Sequence, residues 1–313
     1  MTFPTARARL VSIISERVHP VKYIEKHPII MIVVGVIGIS LSSIFVKYST
    51  APSAVTASYR LLWTILLMSP VTFGNREIRQ ELFRLSGRNL VLSILSGIFL
   101  AFHFTLWFES LHHTSVASST TIVCTEVIWV SLGYALFLKG RMSLKSILTI
   151  GVTFLGSALI AFADSSSGGS HLYGDLLSLV AAVAVAVYVL LGRIVRETVS
   201  TTVYTFVVYA SCAAILLVFC LFQRSPLFGY GPSGILVGLL LAVFSTILGH
   251  SIFSWCLKYF SPSFVSASKL CEPVVAAILA GFLFGESPKP LQLLGGAMIL
   301  GGVLYYSRLE REE

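Results

Sequence analysis

The sequence predicts an all-α integral membrane protein, with ten transmembrane helices in two inverted five-helix repeats and both termini cytoplasmic. Three observations carry this: a composition unsuited to a water-facing surface, ten apolar runs of bilayer length, and a one-sided distribution of basic residues. Of 313 residues, 56% are apolar and only 12% charged, and the mean hydropathy is +0.87. A soluble domain carries about 25% charged residues. The formal charge of +8 therefore bears on orientation rather than on nucleic acid, which is not an expected partner.

Taken in order, residues 1–28 read as a basic amphipathic tail on the cytoplasmic face, carrying Arg7, Arg9, Arg17, Lys22 and Lys26. The run from Ile29 to Val46 is too long for a signal-peptide core, and no A-x-A site closes it. A bilayer core of about 30 Å needs roughly 20 apolar helical residues. Ten runs meet that need: 29–48, 54–73, 89–111, 115–138, 143–163, 172–192, 202–223, 233–257, 262–284 and 290–307. Turn residues separate them at Thr50 to Ser53, Ser165 to Gly169, Gly229 to Pro232, Ser261-Pro262 and Ser287 to Pro290. The first repeat thus spans 29–163, the second 172–307, and 308–313 is a cytoplasmic C-terminal tail.

With the N-terminus inside, seventeen of the 22 lysines and arginines fall on the cytoplasmic side, among them Arg76, Arg79, Arg84 and Arg88. The outer side holds Lys47, Arg224 and Lys289, while Arg60 and Lys269 lie within spans. That asymmetry follows the positive-inside rule, and one missed helix would scramble it.

The second half echoes the first. VASSTTIVCTEVIWV from Val116 aligns with PSFVSASKLCEPVVA from Pro262, setting Glu126 on Glu272. Trp107 falls on Trp255, LHHTS on YFSPS, and GVTFLGSALI (151–160) matches GAMILGGVLY (296–305) after a one-residue slip. Five spans per repeat put the two copies in opposite orientations, the arrangement of many secondary transporters.

CEPVVAAILAGFLFGE (271–286), followed by LQLLGGAMILGGVLYY (291–306), resembles the closing signature of EamA-type transporters in the drug/metabolite transporter superfamily. GDLLSLVAAVAVAVYVLLGR (174–193) resembles the start of that family's second repeat, YRLLW (59–63) its second helix and WCLKYFSPS (255–263) its eighth. The likeness runs from about residue 29 to 306. It is strongest over 255–306 and weaker in the first half, where Val127 stands in the place of Pro273. The resemblance implies ten helices, inverted repeats and transport of small organic solutes, often export of amino acids.

Ionisable side chains are expensive inside a bilayer, so each is a functional candidate there. Glu126 and Glu272 sit near the centres of the fourth and ninth runs and are the proton-coupling or amine-binding candidates. Glu272 also has a structural alternative, an ion pair with Lys269 three residues earlier on the same helix face. Lys269 has only Val123 opposite it in the first repeat, and its charge suits a substrate carboxylate. His103 and Trp107 share a face at i and i+4. Ser251 and Trp255 are their repeat equivalents, with His250 adjacent; an aromatic wall suits a cationic or aromatic solute. Interface anchoring is the alternative, favoured for Trp255 near the cytoplasmic end. Ser40, Ser43 and Lys47 form one stripe, facing the pathway or permitting close helix approach, with Lys47 free to snorkel outward. Tyr188 either reaches the cavity or packs.

Arg60 is expected to pair structurally with Glu109, Asp175 to cap the sixth helix, and His112 and His113 to be solvated. The five cysteines, Cys124, Cys212, Cys220, Cys256 and Cys271, read as apolar packing residues. The expected substrate-binding set is Ser40, Ser43, His103, Trp107, Glu126, Tyr188, His250, Ser251, Lys269 and Glu272, with no catalytic residue, metal ligand or cofactor.

These residues point to a secondary transporter working by alternating access on a small organic metabolite. An amino acid, related zwitterion or amine fits, and export is favoured by the family resemblance alone. Lipids and protons are the other expected partners, the assembly a monomer or weak dimer, and the location the inner membrane. The alternatives are an intramembrane enzyme, for which no GxGD or HxxxxD set is present, and a channel or receptor. GxxxxGK[ST] is absent too, which argues against an ATP-driven pump.

Overall fold

The structure, a computed structural model, describes residues 27–114, 116–164, 172–272, 274, 275, 278 and 290–312. Every described element is a helix. The expected tail over 1–26, the turn at Ser165 to Gly169 and residues 279–289 lie outside the described residues.

Pro28, whose missing N–H is no loss in a first helical turn, opens α1 (Pro28–Ser40), and α2 (Ser42–Lys47) continues it beyond a turn at Leu41. The Ser40 hydroxyl donates back to the Val36 carbonyl at 2.7 Å, a bond that competes with the helix ladder and favours a bend there. α3 is Ser53–Gly74. The short amphipathic α4 (Arg76–Phe83) starts where the Asn75 side chain accepts from the Glu77 and Ile78 amides. Ser86 caps α5 (Gly87–His113).

The fourth apolar run is broken in the middle, into α6 (Val116–Val123) and α7 (Glu126–Phe137). α8 (Leu144–Asp164), α9 (Leu172–Val195) and α10 (Thr201–Phe222) follow, the last capped by Ser200. The eighth run is α11 (Gly231–Leu240), an eleven-residue π-helix (Leu241–Ser251) and α12 (Ile252–Cys256). The ninth begins as α13 (Pro262–Ser268), capped by Ser261, then tightens into a 3-10 turn over Lys269–Cys271. α14 is Pro290–Glu312, so the expected C-terminal tail is helical through Glu312.

Seven of the described helical runs are long and apolar enough to cross a membrane, and Leu144–Leu159 and Leu293–Leu309 are shorter apolar helices. The surface confirms the solvent they meet. Phe222, Phe137 and Leu221 are more than three-quarters exposed, whereas Arg60, Ser96, Ser178 and Ser245 are fully buried. Where lipid is as apolar as leucine, helices associate through close packing rather than hydrophobic burial. Gly38 does this for α1: a Cβ there would lie 2.6 Å from the Phe244 carbonyl oxygen, so α1 rests on the π-helix backbone. Gly97 brings α5 equally close to Val208 and Ser211 of α10. α5 also packs along α9, and α8 along α14.

Candidate functional site

A partly open cavity of about 470 Å³, counting its mouth, lies among α1, α3, α5, the two broken runs and the π-helix. Its polar lining is Ser42, Arg60, His103, Trp107, Glu126, His250, Lys269 and Glu272. Ile39, Val123, Cys124 and Val185 supply apolar wall.

Both broken runs place a carboxylate at the break. In the first, the chain tightens at Cys124 and Thr125: the Thr125 amide and hydroxyl both donate to the Ile122 carbonyl, at 3.0 and 2.7 Å. Glu126 then occupies the first position of α7, where the partial positive charge of a helix N-terminus favours an anion. In the second, the 3-10 turn of Lys269–Cys271 precedes Glu272. Lys269 points across the cavity and donates to Glu126 Oε1 at 2.7 Å, and both side chains are under a tenth exposed. The alternative of a Lys269–Glu272 pair along one helix gives way to a pair between the two halves: i and i+3 still share a face through the 3-10 turn, but the lysine head group reaches across to Glu126. Glu272 Oε1 is buried with no hydrogen-bond partner among the described residues.

The expected Arg60–Glu109 pair is also absent. Glu109 lies at the end of α5, accepting from Ser53 at 2.9 Å and meeting His113 at 3.2 Å, with the Glu109 and His113 side chains well exposed. Arg60 is fully buried on α3. It donates from Nε to Thr246 Oγ1 at 2.6 Å and from Nη1 to Ser42 Oγ at 3.4 Å. The guanidinium lies 4.1 Å from the Phe104 ring centre, an attraction of cation for aromatic face. Nη2 has no partner among the described residues.

The aromatic wall forms as the i, i+4 spacing predicts. His103 and Trp107 stack at 6.0 Å with only 10° between their planes. His103 Nδ1 lies 3.1 Å from the Ala181 carbonyl oxygen; a carbonyl only accepts, so Nδ1 carries the proton. His250 stands 6.3 Å from His103 and edge-on to Phe104. Its Nδ1 and the Trp107 indole nitrogen are further buried groups without partners among the described residues.

Of the ten expected residues, the cavity thus gathers His103, Trp107, Glu126, His250, Lys269 and Glu272. Four stand elsewhere. Ser40 spends its hydroxyl on its own helix, and Ser43 is buried outside the lining. Tyr188 bonds Ser254 at 2.9 Å behind His250, 6.0 Å away ring to ring. Ser251 meets the Tyr209 hydroxyl at 2.9 Å. Ser42 replaces its neighbours because the turn at Leu41 shifts the phase of the serine stripe. Arg60 and Cys124 also line the cavity unforeseen; an arginine seven residues into an apolar run was the signal for the first. Lys47, exposed at the end of α2, donates to the Leu111 carbonyl at 2.8 Å near the end of α5. Asp175 lies in the first turn of α9 and accepts from Thr114 at 2.8 Å. Among the described residues no His, Cys, Asp and Glu cluster could hold a metal ion.

A cavity that gathers charge inside a lipid-facing bundle defines a membrane transport protein. The model of the EamA-like transporter family matches this chain twice, over residues 27–162 and 172–308, and the chain belongs to that family. It is similar to the uncharacterized transporter YxxF of Bacillus subtilis (strain 168), 25% identical across 89% of this chain and 87% of that one. Another relative in that organism, uncharacterized transporter YyaM, is 28% identical over 87% and 89%. An uncharacterized transporter of Clostridium kluyveri is 24% identical over 87% and 93%. A solved crystal structure superposes with a TM-score of 0.75 at 16% identity, covering 92% of this chain and 99% of that one, which speaks for the fold. The chain is accordingly a multi-pass membrane transporter of some small substrate, and not an enzyme.

Proposed function

We propose that the chain is a secondary carrier that moves a small zwitterionic or amine-bearing organic solute, such as an amino acid, by alternating access. The observation that carries this is the buried Lys269–Glu126 pair, at 2.7 Å, beside Glu272, whose Oε1 has no partner among the described residues, in one cavity. Charges are retained at membrane depth where a solute or ion uses them. The two halves meet at that cavity through matched breaks before Glu126 and Glu272. A site between inverted repeats can be exposed to either side in turn.

Ten spans with both termini inside is the topology that this reading adopts, supported by the basic-residue asymmetry and by a family model that matches twice. The repeats run 29–163 and 172–307. The bacterial relatives fit an inner membrane, and export follows the family likeness. Protons are the proposed coupling ion, with Glu272 as the group that takes them, since among the described residues no cation bonds it as Lys269 bonds Glu126.

Uptake into proteoliposomes of labelled amino acids, amines and nucleosides, with and without an imposed pH gradient, tests this. Saturable uptake that is lost in Glu126→Gln and Lys269→Ala is expected. Saturable uptake indifferent to both substitutions would remove the proposed site, and a folded protein that carries nothing on the panel would remove the carrier reading.

A further inference from the structure

Two permanent cations face the cavity, and only one of them has a carboxylate against it. Lys269 is answered by Glu126. Arg60, fully buried, is met only by neutral groups among the described residues. A buried unpaired charge is severely penalised unless something completes its coordination.

The protein does not leave Arg60 loose. The Thr246 hydroxyl donates to the Leu241 carbonyl at 3.2 Å, five residues back along the π-helix. Its oxygen is thereby turned to accept from Arg60 Nε at 2.6 Å. Ser42 holds Nη1, and Phe104 lies under the guanidinium plane. Three elements thus fix the head group and leave Nη2 unengaged at the cavity. The Trp107 indole N–H is a second donor there without a partner among the described residues, and Glu272 Oε1 a matching acceptor.

We propose that Arg60 is the residue that takes the anionic end of the solute, with the Trp107 N–H as second donor, so that a carboxylate or similar planar oxyanion is obligatory. The inference rests on the carrier reading and sharpens it. Glu272 takes the cationic end, and Lys269–Glu126 stays paired while the solute is bound. Two basic side chains, Arg60 and Lys269, face two acidic ones, Glu126 and Glu272, a balance that suits a zwitterion better than a bare amine. Arginine is the apt residue because its planar, weakly hydrated head group binds oxyanions directionally.

The test uses the purified full chain in proteoliposomes and competes each carried amino acid with its own primary amide, which keeps the amine and loses the negative charge. In the unaltered protein the amide should compete at least tenfold more weakly than its parent. In Arg60→Gln the parent should weaken at least tenfold, to about the level of the amide, while the amide is unchanged; Arg60→Lys should recover part of the loss. Trp107→Phe, which keeps the ring and removes the N–H, should weaken the parent severalfold and spare the amide, and it serves if Arg60→Gln does not fold. Equal losses for parent and amide in these variants, or an amide that competes as well as its parent in the unaltered protein, would overturn the role of Arg60 and leave the carrier reading standing. If folded, unaltered protein carries no amino acid but does carry bare amines, the obligatory anion is refuted while carriage survives. If it carries neither, both fall.

Discussion

The two broken helices make the same backbone move and end in different electrostatic states. Each runs a short way inward from one end, tightens for a turn and delivers a glutamate to the cavity. Glu126 arrives at a helix N-terminus and is met by a lysine from the other half, whereas Glu272 arrives with an oxygen unclaimed. The lysine is what differs: Val123 stands in its place in the first half. The family model matches both halves, and the lysine present in only one of them ties the first break to the second through Glu126.

Substitutions on the two sides should separate these roles. The largest effect is expected from Lys269→Ala, which strands Glu126: removing one partner of a buried pair costs about 3–5 kcal/mol, read as a fall in the thermal midpoint in detergent, with transport abolished. Replacing both partners by neutral residues, Lys269→Met with Glu126→Gln, should restore most of the midpoint but not transport. Glu272→Gln should invert that pattern. The midpoint should hold or rise, because an unpaired buried carboxylate is removed, while solute uptake falls at least tenfold and any dependence on a pH gradient disappears. If Glu126→Gln and Glu272→Gln behave alike in both assays, the contrast drawn between the two breaks is wrong.

Smaller effects should follow at the supports of each break. Thr125→Val removes the hydroxyl bonded to the Ile122 carbonyl, and a neutral hydrogen bond contributes about 1 kcal/mol. Tyr188→Phe removes the bond to Ser254 at similar cost, and uptake should stay within about twofold because the ring still packs behind His250. A larger transport loss in Tyr188→Phe would place that hydroxyl in the pathway.

The helical runs were legible because a bilayer imposes a length and a hydropathy that few other constraints imitate, and the starts of α3, α9, α10, α13 and α14 fall at or next to the expected positions. Side-chain partners were less legible wherever the backbone leaves regular α geometry. Reading Ser40 with Ser43 assumes one continuous phase through Leu41, whereas Lys269 stays one turn from Glu272 and takes its partner from the other half, which no local spacing reveals. Arg60 failed differently: Glu109 was chosen by charge, and the neutral partners Thr246, Ser42 and Phe104, from three other elements, carry no sign in sequence that they meet. The aromatic pair His103–Trp107 succeeded because α5 is regular from end to end.

The π-helix at Leu241–Ser251 carries a consequence for how this chain can change over generations. Its wider turns accommodate extra residue length that an α-helix would not need. Deleting one residue there would remove that extra length and let a widened turn close into ordinary α geometry, while the helix on either side keeps its course. Within the segment Thr246 and His250 would shift by one position against Arg60 and Phe104. A single lost codon would thus change which groups meet Arg60 without altering the hydropathy of the helix, a change that sequence comparison by composition alone would pass as silent.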